Sequence, residues 1–242
     1  MIPQPLLAPT VTAVVRYALY LVPPRDCLLW ERACRWLGRD PETGSTFPQP
    51  EVPGYGGKRV LQLTRSPRQY GFHATLNAPF RLADGVDESQ LMREIVRLAG
   101  SLPALSMPAL KVDRLASFIA LRPSGDTAEL MTLARLCVTA LDRLRAPLES
   151  SERARRQAAG LTPHQNDLLV RWGYPYVLDE YRFHMTLTES LDDADASLLL
   201  PWLQTWLGPA LDVESGEADL AAFVQPDSGA DFILRRRFPL RC

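Results

Sequence analysis

Two short segments of the sequence repeat one pattern of chemically active side chains. "YGFHATL" and, far downstream, "YRFHMTL" each place a histidine two residues before a threonine, and together they hold two of the chain's three histidines. Alternate side chains of a strand share a face, so His73 lies with Thr75, and His184 lies with Thr186. The pattern predicts two strands that each have one apolar face and one face with a histidine and a threonine.

These groups suit hydrolysis of a phosphodiester without a metal ion. An unperturbed imidazole pKa of about 6.5 lets one neutral histidine take a proton from water and one protonated histidine give a proton to the departing alkoxide. Threonine hydroxyls can donate to the non-bridging oxygens as charge redistributes. A lone strand histidine is more often structural, but two copies of the same pair favour catalysis. The sequence does not assign acid and base to the two histidines.

The third histidine and a glycine-rich segment have simpler explanations. His164 follows Thr162 and Pro163 at a predicted helix start, which explains it as a surface residue. The glycines of "VPGYGGKR" lack the spacing of a phosphate-binding loop and suit turns better. Neither His-x-Thr segment has a third Cys, His, Asp or Glu at ligand spacing, so the sequence favours a site with no metal and no cofactor.

Composition and charge limit the class of partner. The chain has 242 residues, 46% hydrophobic and 23% charged, as in an ordinary soluble globular protein. Its formal net charge of -1 lacks the basic excess that proteins use to hold many nucleic-acid phosphates. We therefore expect a small phosphorylated substrate, with RNA ends as the only nucleic-acid exception.

The sequence contains no sign of a membrane span or an export signal. The opening "MIPQPLLAPTVTAVV" has no basic start and is broken by three prolines, so it resembles neither a signal peptide nor a membrane span. The cysteines are Cys27, Cys34, Cys137 and Cys242. Their scattered positions, without CxxC spacing, fit reduced thiols. We predict a cytoplasmic protein with no membrane partner and leave its oligomeric state open.

Predicted strands and helices alternate around the two motifs. Strands are predicted from Ala13 to the prolines at 23 and 24, over both motifs, once or twice within residues 105–123, and near residues 220–224 and 231–239. Helices are predicted over residues 26–38, from Asp87, from Asp126, from Thr162 and, with an interruption at Pro201, over residues 198–207.

Two segments are predicted to connect these elements. Residues 40–59 hold four prolines and four glycines, a composition that predicts an exposed loop. Residues 148–160, "LESSERARRQAAG", are polar and are predicted as a connector, with a solvated helix as the alternative. We expect the loop at 40–59, together with the cleft walls, to set substrate specificity.

A second pair of similar segments suggests that the chain contains two related halves. "LASFI" at residues 115–119 resembles "LAAFV" at residues 220–224, and each follows its motif at a similar offset. We therefore predict one bilobal α+β domain over residues 1–242, with approximate halves at 13–125 and 126–242 that each offer one motif strand. Exchange of strands between the halves is compatible with this pattern.

"FHATL" and "FHMTL" resemble the paired His-x-Thr signature of the 2H phosphoesterase superfamily. The wider text, including "RYALYLVPP", "AGLTPHQ" and "FILRRRFPL", is similar to the bacterial branch found with phosphonate-utilisation operons. The resemblance implies a 2′-5′ RNA ligase-like fold, with two antiparallel sheets related by a pseudo-twofold axis that flank a cleft, and helices outside. It also implies a metal-independent cyclic phosphodiesterase of phosphonate metabolism.

By position, the superfamily's catalytic histidines fall on His73 and His184, and its phosphate-oxygen donors fall on Thr75 and Thr186. These four residues are the core of the predicted site.

Three further residues complete it. Asn77 stands where many relatives of this branch are expected to have a basic residue, so we predict that Arg182, on the face of His184, contacts the phosphate instead. Arg16 and Tyr20 share one face of the first strand and are predicted cleft-wall residues, with ordinary sheet surface as the alternative.

Three functions follow from these features, in order of support. The first is hydrolysis of a small cyclic phosphodiester, such as a ribose cyclic phosphate from phosphonate breakdown or a nucleoside 2′,3′-cyclic phosphate. The second is RNA-end processing, as a 2′,3′-cyclic phosphodiesterase or 2′-5′ ligase, which the near-neutral charge disfavours. The third is binding of a phosphorylated metabolite without turnover, which two intact His-x-Thr motifs disfavour.

Overall fold

The computed structural model describes residues 14–158, 160–211 and 216–240, and the fold in these ranges is α+β, as predicted. Residues 1–13, which include the three prolines of the opening segment and Ala13, lie outside them, as does Cys242. Strands β1 to β7 are Arg16–Val22, Ala74–Phe80, Leu110–Leu115, Phe118–Pro123, Met185–Thr186, Asp219–Gln225 and Ile233–Pro239. Helices α1 to α8 are Leu28–Leu37, Gly57–Leu63, Arg65–Tyr70, Glu88–Ser101, Ala128–Leu141, Ser150–Gln157, Pro163–Trp172 and Asp193–Leu211. No helix within the described ranges is long and apolar enough to cross a membrane.

The seven strands of these ranges form one antiparallel sheet in the order β3-β4-β5-β2-β1-β6-β7. The prediction of two sheets flanking a cleft is therefore wrong for the described residues, because the motif strands β2 and β5 pair directly with each other. β1 lies on the other side of β2, and β4 lies on the other side of β5. The two motifs lie side by side in one sheet and do not face each other across a gap.

The pairing of β2 with β5 determines which motif side chains share a surface. Ala74 pairs with Met185 in antiparallel register, and both side chains are fully buried. One residue to either side of this pair, the register brings His73 beside Thr186 and His184 beside Thr75. Because side chains alternate, the two histidines and two threonines project from the face opposite to Ala74 and Met185.

The second motif forms less strand than the sequence predicts. β5 contains two residues, whereas β2 contains seven. After β5, the hydroxyl of Thr188 accepts a hydrogen bond from the backbone N–H of Ile119 at 3.0 Å and donates to the carbonyl of Glu189 at 2.8 Å. The buried side chain of Thr188 therefore takes the place of a backbone acceptor between the strands at this point.

Helix starts follow the capping signals of the sequence. Both predicted capping boxes are present, one between Asp87 and Gln90 and one between Thr162 and Gln165. Each satisfies backbone N–H groups that a helix start leaves without intrahelical partners. These local signals set where α4 and α7 begin.

α8 differs from its prediction, because it continues through Pro201 and Pro209. A proline inside a helix removes one backbone hydrogen bond and costs about 3 kcal/mol or more. Leu199, Leu203 and Leu207 form a fully buried stripe on this helix, and α8 packs against β3 and α1. Burial of three leucines, at roughly 1.5–3 kcal/mol for each side chain, is comparable with the cost of the two prolines.

The similar segments "LASFI" and "LAAFV" are not structurally equivalent. Residues 115–119 include the turn between β3 and β4, where Ala116 has a φ of 52°. Residues 220–224 lie inside the continuous strand β6. The resemblance of these segments therefore gives no support to a duplication, and the division into halves at 13–125 and 126–242 stays a prediction.

Candidate active site

A cleft of about 360 Å³ lies over the polar side of the two motifs. Six of the seven predicted site residues line it, namely Arg16, Tyr20, His73, Thr75, His184 and Thr186. Its other described lining residues are Ser66, Pro67, Tyr70, Gly71, Ala78, Pro79, Arg155, Arg156 and Tyr174. The volume is at the small end of the roughly 300–1,000 Å³ that is typical of small-molecule sites.

His73 is packed against aromatic rings. Its imidazole stacks on the ring of Tyr20 with 3.7 Å between the centroids and 22° between the planes. The rings of Tyr70 and Phe223 lie at centroid distances of 6.2 Å. Tyr20 lies here because β1 pairs it with Thr75, whose hydroxyl oxygen is 3.1 Å from Nε2 of His73. The sheet register thus assembles this half of the site.

His184 has a more open environment. The ring of Phe118 on β4 lies 5.7 Å from its imidazole, centroid to centroid, at an angle of 55°. β4 pairs Ala120 with Thr186, so an alanine takes the register position that Tyr20 has beside Thr75. No aromatic ring can cover His184 from that position.

Both histidines are oriented by the same backbone contact. Nδ1 of His73 lies 2.8 Å from the carbonyl oxygen of Gly71, and Nδ1 of His184 lies 2.8 Å from that of Arg182. A neutral imidazole in this position donates its Nδ1 proton to the carbonyl and keeps Nε2 as a proton acceptor. Each ring thereby has one nitrogen held by the backbone and one that is not in this contact.

Gly71 occupies a backbone conformation that other residues rarely adopt. Its φ is 80° and its ψ is 172°, a region used almost only by glycine. A Cβ atom at this position would lie 2.7 Å from Cγ of Pro41, which belongs to the loop at residues 40–59. This loop is irregular up to α2, as predicted, but none of its residues is among the described residues that line the cleft. Through Pro41, it lies close to the residue whose carbonyl orients His73.

Burial lowers the pKa of both imidazoles. Burial is the main cause for His73, whose pKa falls from 6.5 to about 4, and the nearby His184 lowers it further. Burial is also the main cause for His184, with a smaller contribution from the positive charge of Arg122. The hydrogen bonds to the carbonyls of Gly71 and Arg182 act in the opposite direction. His73 is therefore the ring that stays neutral to lower pH.

The prediction for Arg182 needs correction. Its side chain is exposed, and it is not among the described residues that line the cleft. The alternation argument fails because β5 begins only at Met185, so the backbone from Arg182 to His184 is not part of a strand. Arg182 contributes its carbonyl oxygen, which any residue could supply.

Nine of the described lining residues were not predicted, and three of these bear on the charge and aromatic packing of the cleft. Arg155 and Arg156 belong to α6, in the segment predicted as a polar connector, and Tyr174 follows α7. The clustered arginines of "ERARRQ" could have indicated an anion-binding segment. The sequence of a short helix does not, however, show which cleft the helix adjoins. Tertiary packing brings α6 to the site.

The remaining candidates for chemistry do not form a second centre. His164 is exposed at the start of α7, where its Nε2 lies 2.7 Å from the carboxylate of Asp179. This agrees with its predicted surface position. Within the described ranges, no group of three or more His, Cys, Asp or Glu residues could hold a metal ion.

Two solved structures resemble the chain over most of its length. One is described as a phosphoesterase; it covers 94% of this chain and 99% of its own, with 13% identity and a TM-score of 0.40. The other is Usb1 of Kluyveromyces marxianus with uridine monophosphate; it covers 91% of this chain and 98% of its own, with 9% identity and a TM-score of 0.34. Neither likeness identifies a reaction for this chain.

Two curated relatives carry the name ribose 1,5-bisphosphate phosphokinase PhnN. The protein of Janthinobacterium sp. (strain Marseille) is 41% identical over 197 residues, which are 81% of this chain and 44% of the relative. The protein of Laribacter hongkongensis (strain HLHK9) is 35% identical over 227 residues, 92% of this chain and 51% of the relative. The chain spans about half the length of the curated relatives it matches.

A family profile matches residues 75–233, which contain Thr75, His184 and Thr186 and begin two residues after His73. The match covers well over half of the chain. The chain therefore belongs to the family described as "Protein of unknown function (DUF1045)".

Proposed function

We propose that this protein is a metal-independent phosphodiesterase that opens a small cyclic phosphodiester by acid-base catalysis. The observation that carries this proposal is the pairing of the two His-x-Thr motifs, whose imidazoles and hydroxyls line one cleft. The matching Nδ1 contacts support it, because they leave Nε2 of each ring available for proton transfer.

In the proposed reaction, water attacks the phosphorus atom while Nε2 of one neutral histidine accepts the water proton. A new P–O bond forms as the P–O bond to the ring alkoxide breaks. The second histidine, in its protonated form, donates its Nε2 proton to that alkoxide. The product is a phosphate monoester with a free hydroxyl. When substrate is bound, the hydroxyls of Thr75 and Thr186 donate to the non-bridging oxygens, and the Thr75 hydroxyl turns to them from Nε2 of His73.

We assign His73 as the base and His184 as the acid. The stacking on Tyr20 and the low pKa of about 4 keep His73 neutral, which a base requires. His184 has no stacked ring at the equivalent register position, so a bound anion can come close and raise its pKa. The protonated form needed for an acid is then favoured when substrate is present.

A ribose cyclic phosphate is the preferred substrate. Opening such a ring on a ribose that also carries a 5-phosphate gives a ribose bisphosphate, the class of compound in the names of the curated relatives. This chain lacks the GxxxxGK[ST] pattern of a nucleotide-binding loop, so we assign the kinase reaction in those names to the part of the relatives outside the match. The resemblance to the branch found with phosphonate-utilisation operons also supports a role in phosphonate metabolism.

The test is hydrolysis of a panel of cyclic phosphodiesters in the presence of EDTA. The panel contains ribose cyclic phosphates, nucleoside 2′,3′-cyclic phosphates and RNA ending in a 2′,3′-cyclic phosphate. The wild type is compared with His73→Ala and His184→Ala, and with His164→Ala as a matched control outside the cleft. We expect the wild type and the control to open the small substrates despite EDTA, and each site variant to lose about 100-fold or more of kcat/KM.

Each alternative has its own signature in this assay. Equal rates for the wild type and both site variants would contradict paired-histidine catalysis. Loss of wild-type activity in EDTA would indicate a metal-dependent reaction. Faster turnover of the RNA than of any small substrate would assign RNA-end processing, and binding without turnover would indicate a sensor.

A further inference from the structure

The cleft has more positive charge than its histidines and threonines explain. Arg16 on β1 and Arg155 and Arg156 on α6 line it, and no Asp or Glu is among its described lining residues. The carboxylate next to this group belongs to Glu152, which accepts a hydrogen bond from Nη2 of Arg156 at 2.7 Å. Arg155 also pairs with Glu152, at 3.9 Å, whereas Arg16 bonds to the neutral side chain of Gln225.

Arg156 is held in place with donor capacity left over. Its side chain is only 17% exposed and lies over the ring of Tyr174, 5.1 Å from guanidinium carbon to ring centroid. Among the described residues, its buried Nε has no hydrogen-bond partner. A buried guanidinium N–H without a partner is costly, and an anion in the cleft would remove that cost.

A second buried donor lies in the same region. The hydroxyl of Tyr20 is fully buried and has no partner among the described residues. Tyr174 and Arg16 both lie close enough to influence its pKa electrostatically. Arg16 itself uses Nε on Gln225 at 2.8 Å, which leaves its terminal nitrogens for other acceptors.

A cyclic phosphodiester carries a single negative charge, and the motif threonines already provide donors for its oxygens. A phosphate monoester carries a charge of about −1.5 to −2 near neutral pH and has three strong acceptor oxygens. Arginine is suited to this group because its planar guanidinium can donate two parallel hydrogen bonds. The unused donors therefore match a second, more highly charged phosphate.

We propose that Arg16, Arg155, Arg156 and the hydroxyl of Tyr20 form a second anion subsite, which binds a phosphate monoester on the same substrate molecule as the cyclic phosphodiester. This inference rests on the proposed function and names its substrate class, a sugar cyclic phosphate with an additional phosphate. Arg155 is 74% exposed and contributes from the rim of the cleft, whereas Arg156 contributes from its wall.

The experiment compares a ribose cyclic phosphate with and without a 5-phosphate group. We expect the wild type to prefer the phosphorylated substrate by at least about 100-fold in kcat/KM, or about 2.7 kcal/mol at 1.36 kcal/mol per tenfold. The double variant Arg155→Gln/Arg156→Gln should lower this preference to less than about tenfold, since it removes two charge-assisted contacts. Arg93→Gln, an exposed arginine of α4 outside the cleft lining, is the matched control and should keep the preference.

Equal kcat/KM for the two substrates, or an unchanged preference in the double variant, would overturn the subsite while leaving the proposed hydrolysis intact. If neither substrate is hydrolysed, a binding measurement still tests the subsite. Calorimetric titration with ribose 5-phosphate should then show binding to the wild type and to Arg93→Gln, and at least about tenfold weaker binding to the double variant. Equal binding by all three proteins would contradict the subsite independently of catalysis.

Discussion

The two histidines share one backbone contact and differ in what covers their rings. His73 stacks on Tyr20 at 3.7 Å, and its Nε2 lies 3.1 Å from the hydroxyl of Thr75. His184 has Phe118 at 5.7 Å, and Ala120 takes the register position equivalent to Tyr20. The repeated motif orients both rings in the same way, and the neighbouring strands make their environments different.

In the proposed reaction, this difference lets one motif serve two chemical roles. A general base must be neutral before the reaction, and a general acid must be protonated. Burial under an aromatic ring keeps His73 neutral, whereas the open side of His184 allows a substrate anion to favour its protonated form. The asymmetry comes from β1 and β4, which flank the motif strands.

The largest expected effect separates the acid from the base through the leaving group. His73→Ala and His184→Ala should each lower kcat/KM for a cyclic phosphodiester by about 100-fold or more. With a p-nitrophenyl phosphodiester, whose leaving group needs no proton, the loss in His184→Ala should shrink below about tenfold. The loss in His73→Ala should persist, because water must still be deprotonated. Rescue of His73→Ala instead would reverse the assigned roles.

Thr75→Val and Thr186→Val should lower kcat by about 100-fold each, because each removes one donor to the developing charge. Thr75→Val should have the larger effect, since this hydroxyl also contacts Nε2 of His73. Thr188→Val is the control: its buried hydroxyl bonds to the backbone of Ile119 and Glu189, so it should cost about 1–3 kcal/mol of unfolding free energy with little change in kcat. Steady-state kinetics and chemical denaturation measure both quantities. A larger kcat loss in Thr188→Val would contradict the division of roles.

Gly71→Ala and Arg182→Ala compare the two carbonyls that orient the rings. Gly71→Ala forces a Cβ against Pro41 at a backbone angle suited to glycine, so we expect a cost of about 1–3 kcal/mol in stability and about tenfold in kcat/KM. Arg182→Ala keeps its carbonyl and removes only an exposed side chain, so kcat/KM should change by less than about twofold. A large loss in Arg182→Ala would restore this arginine as a phosphate contact.

The smallest expected effect is a shift in pH dependence. kcat/KM should rise as pH increases through the pKa of His73, about 4, and fall as pH increases through that of His184, which lies below 6.5. Tyr20→Ala exposes the face of His73, so its pKa and the acidic limb should move up by about one unit. NMR titration of both imidazoles measures the shifts directly, and near-UV circular dichroism checks that the variant is folded. An unchanged His73 pKa would show that the ring does not cause the difference.

Much of the fold was predictable because its signals are local. The capping boxes at Asp87 and Thr162 predicted helix starts that the structure contains. The alternation around His73 predicted a buried apolar face and a polar face for β2. The interruption predicted at Pro201 was wrong, because burial of the leucine stripe of α8 depends on contacts with β3 and α1 that are distant in sequence.

The site was predictable in part for the same reason. His73, Thr75, His184 and Thr186 were identified by their repeated spacing, and all four line the cleft. Arg182 was assigned to the cleft by an alternation that holds only in a strand, and the strand begins three residues later. Local spacing fails where the backbone leaves the regular geometry on which it depends.

The sequence by itself determined the chemical groups of this protein: two His-x-Thr pairs, their apolar anchoring faces and an arginine-rich segment. Tertiary structure alone decided that the pairs meet in one sheet, that Tyr20 covers only one of the two rings, and that Arg155 and Arg156 join the same cleft. The physical reason is the range of the interactions. Spacing and capping act between residues a few positions apart, whereas strand register and helix packing join residues that are far apart in the chain.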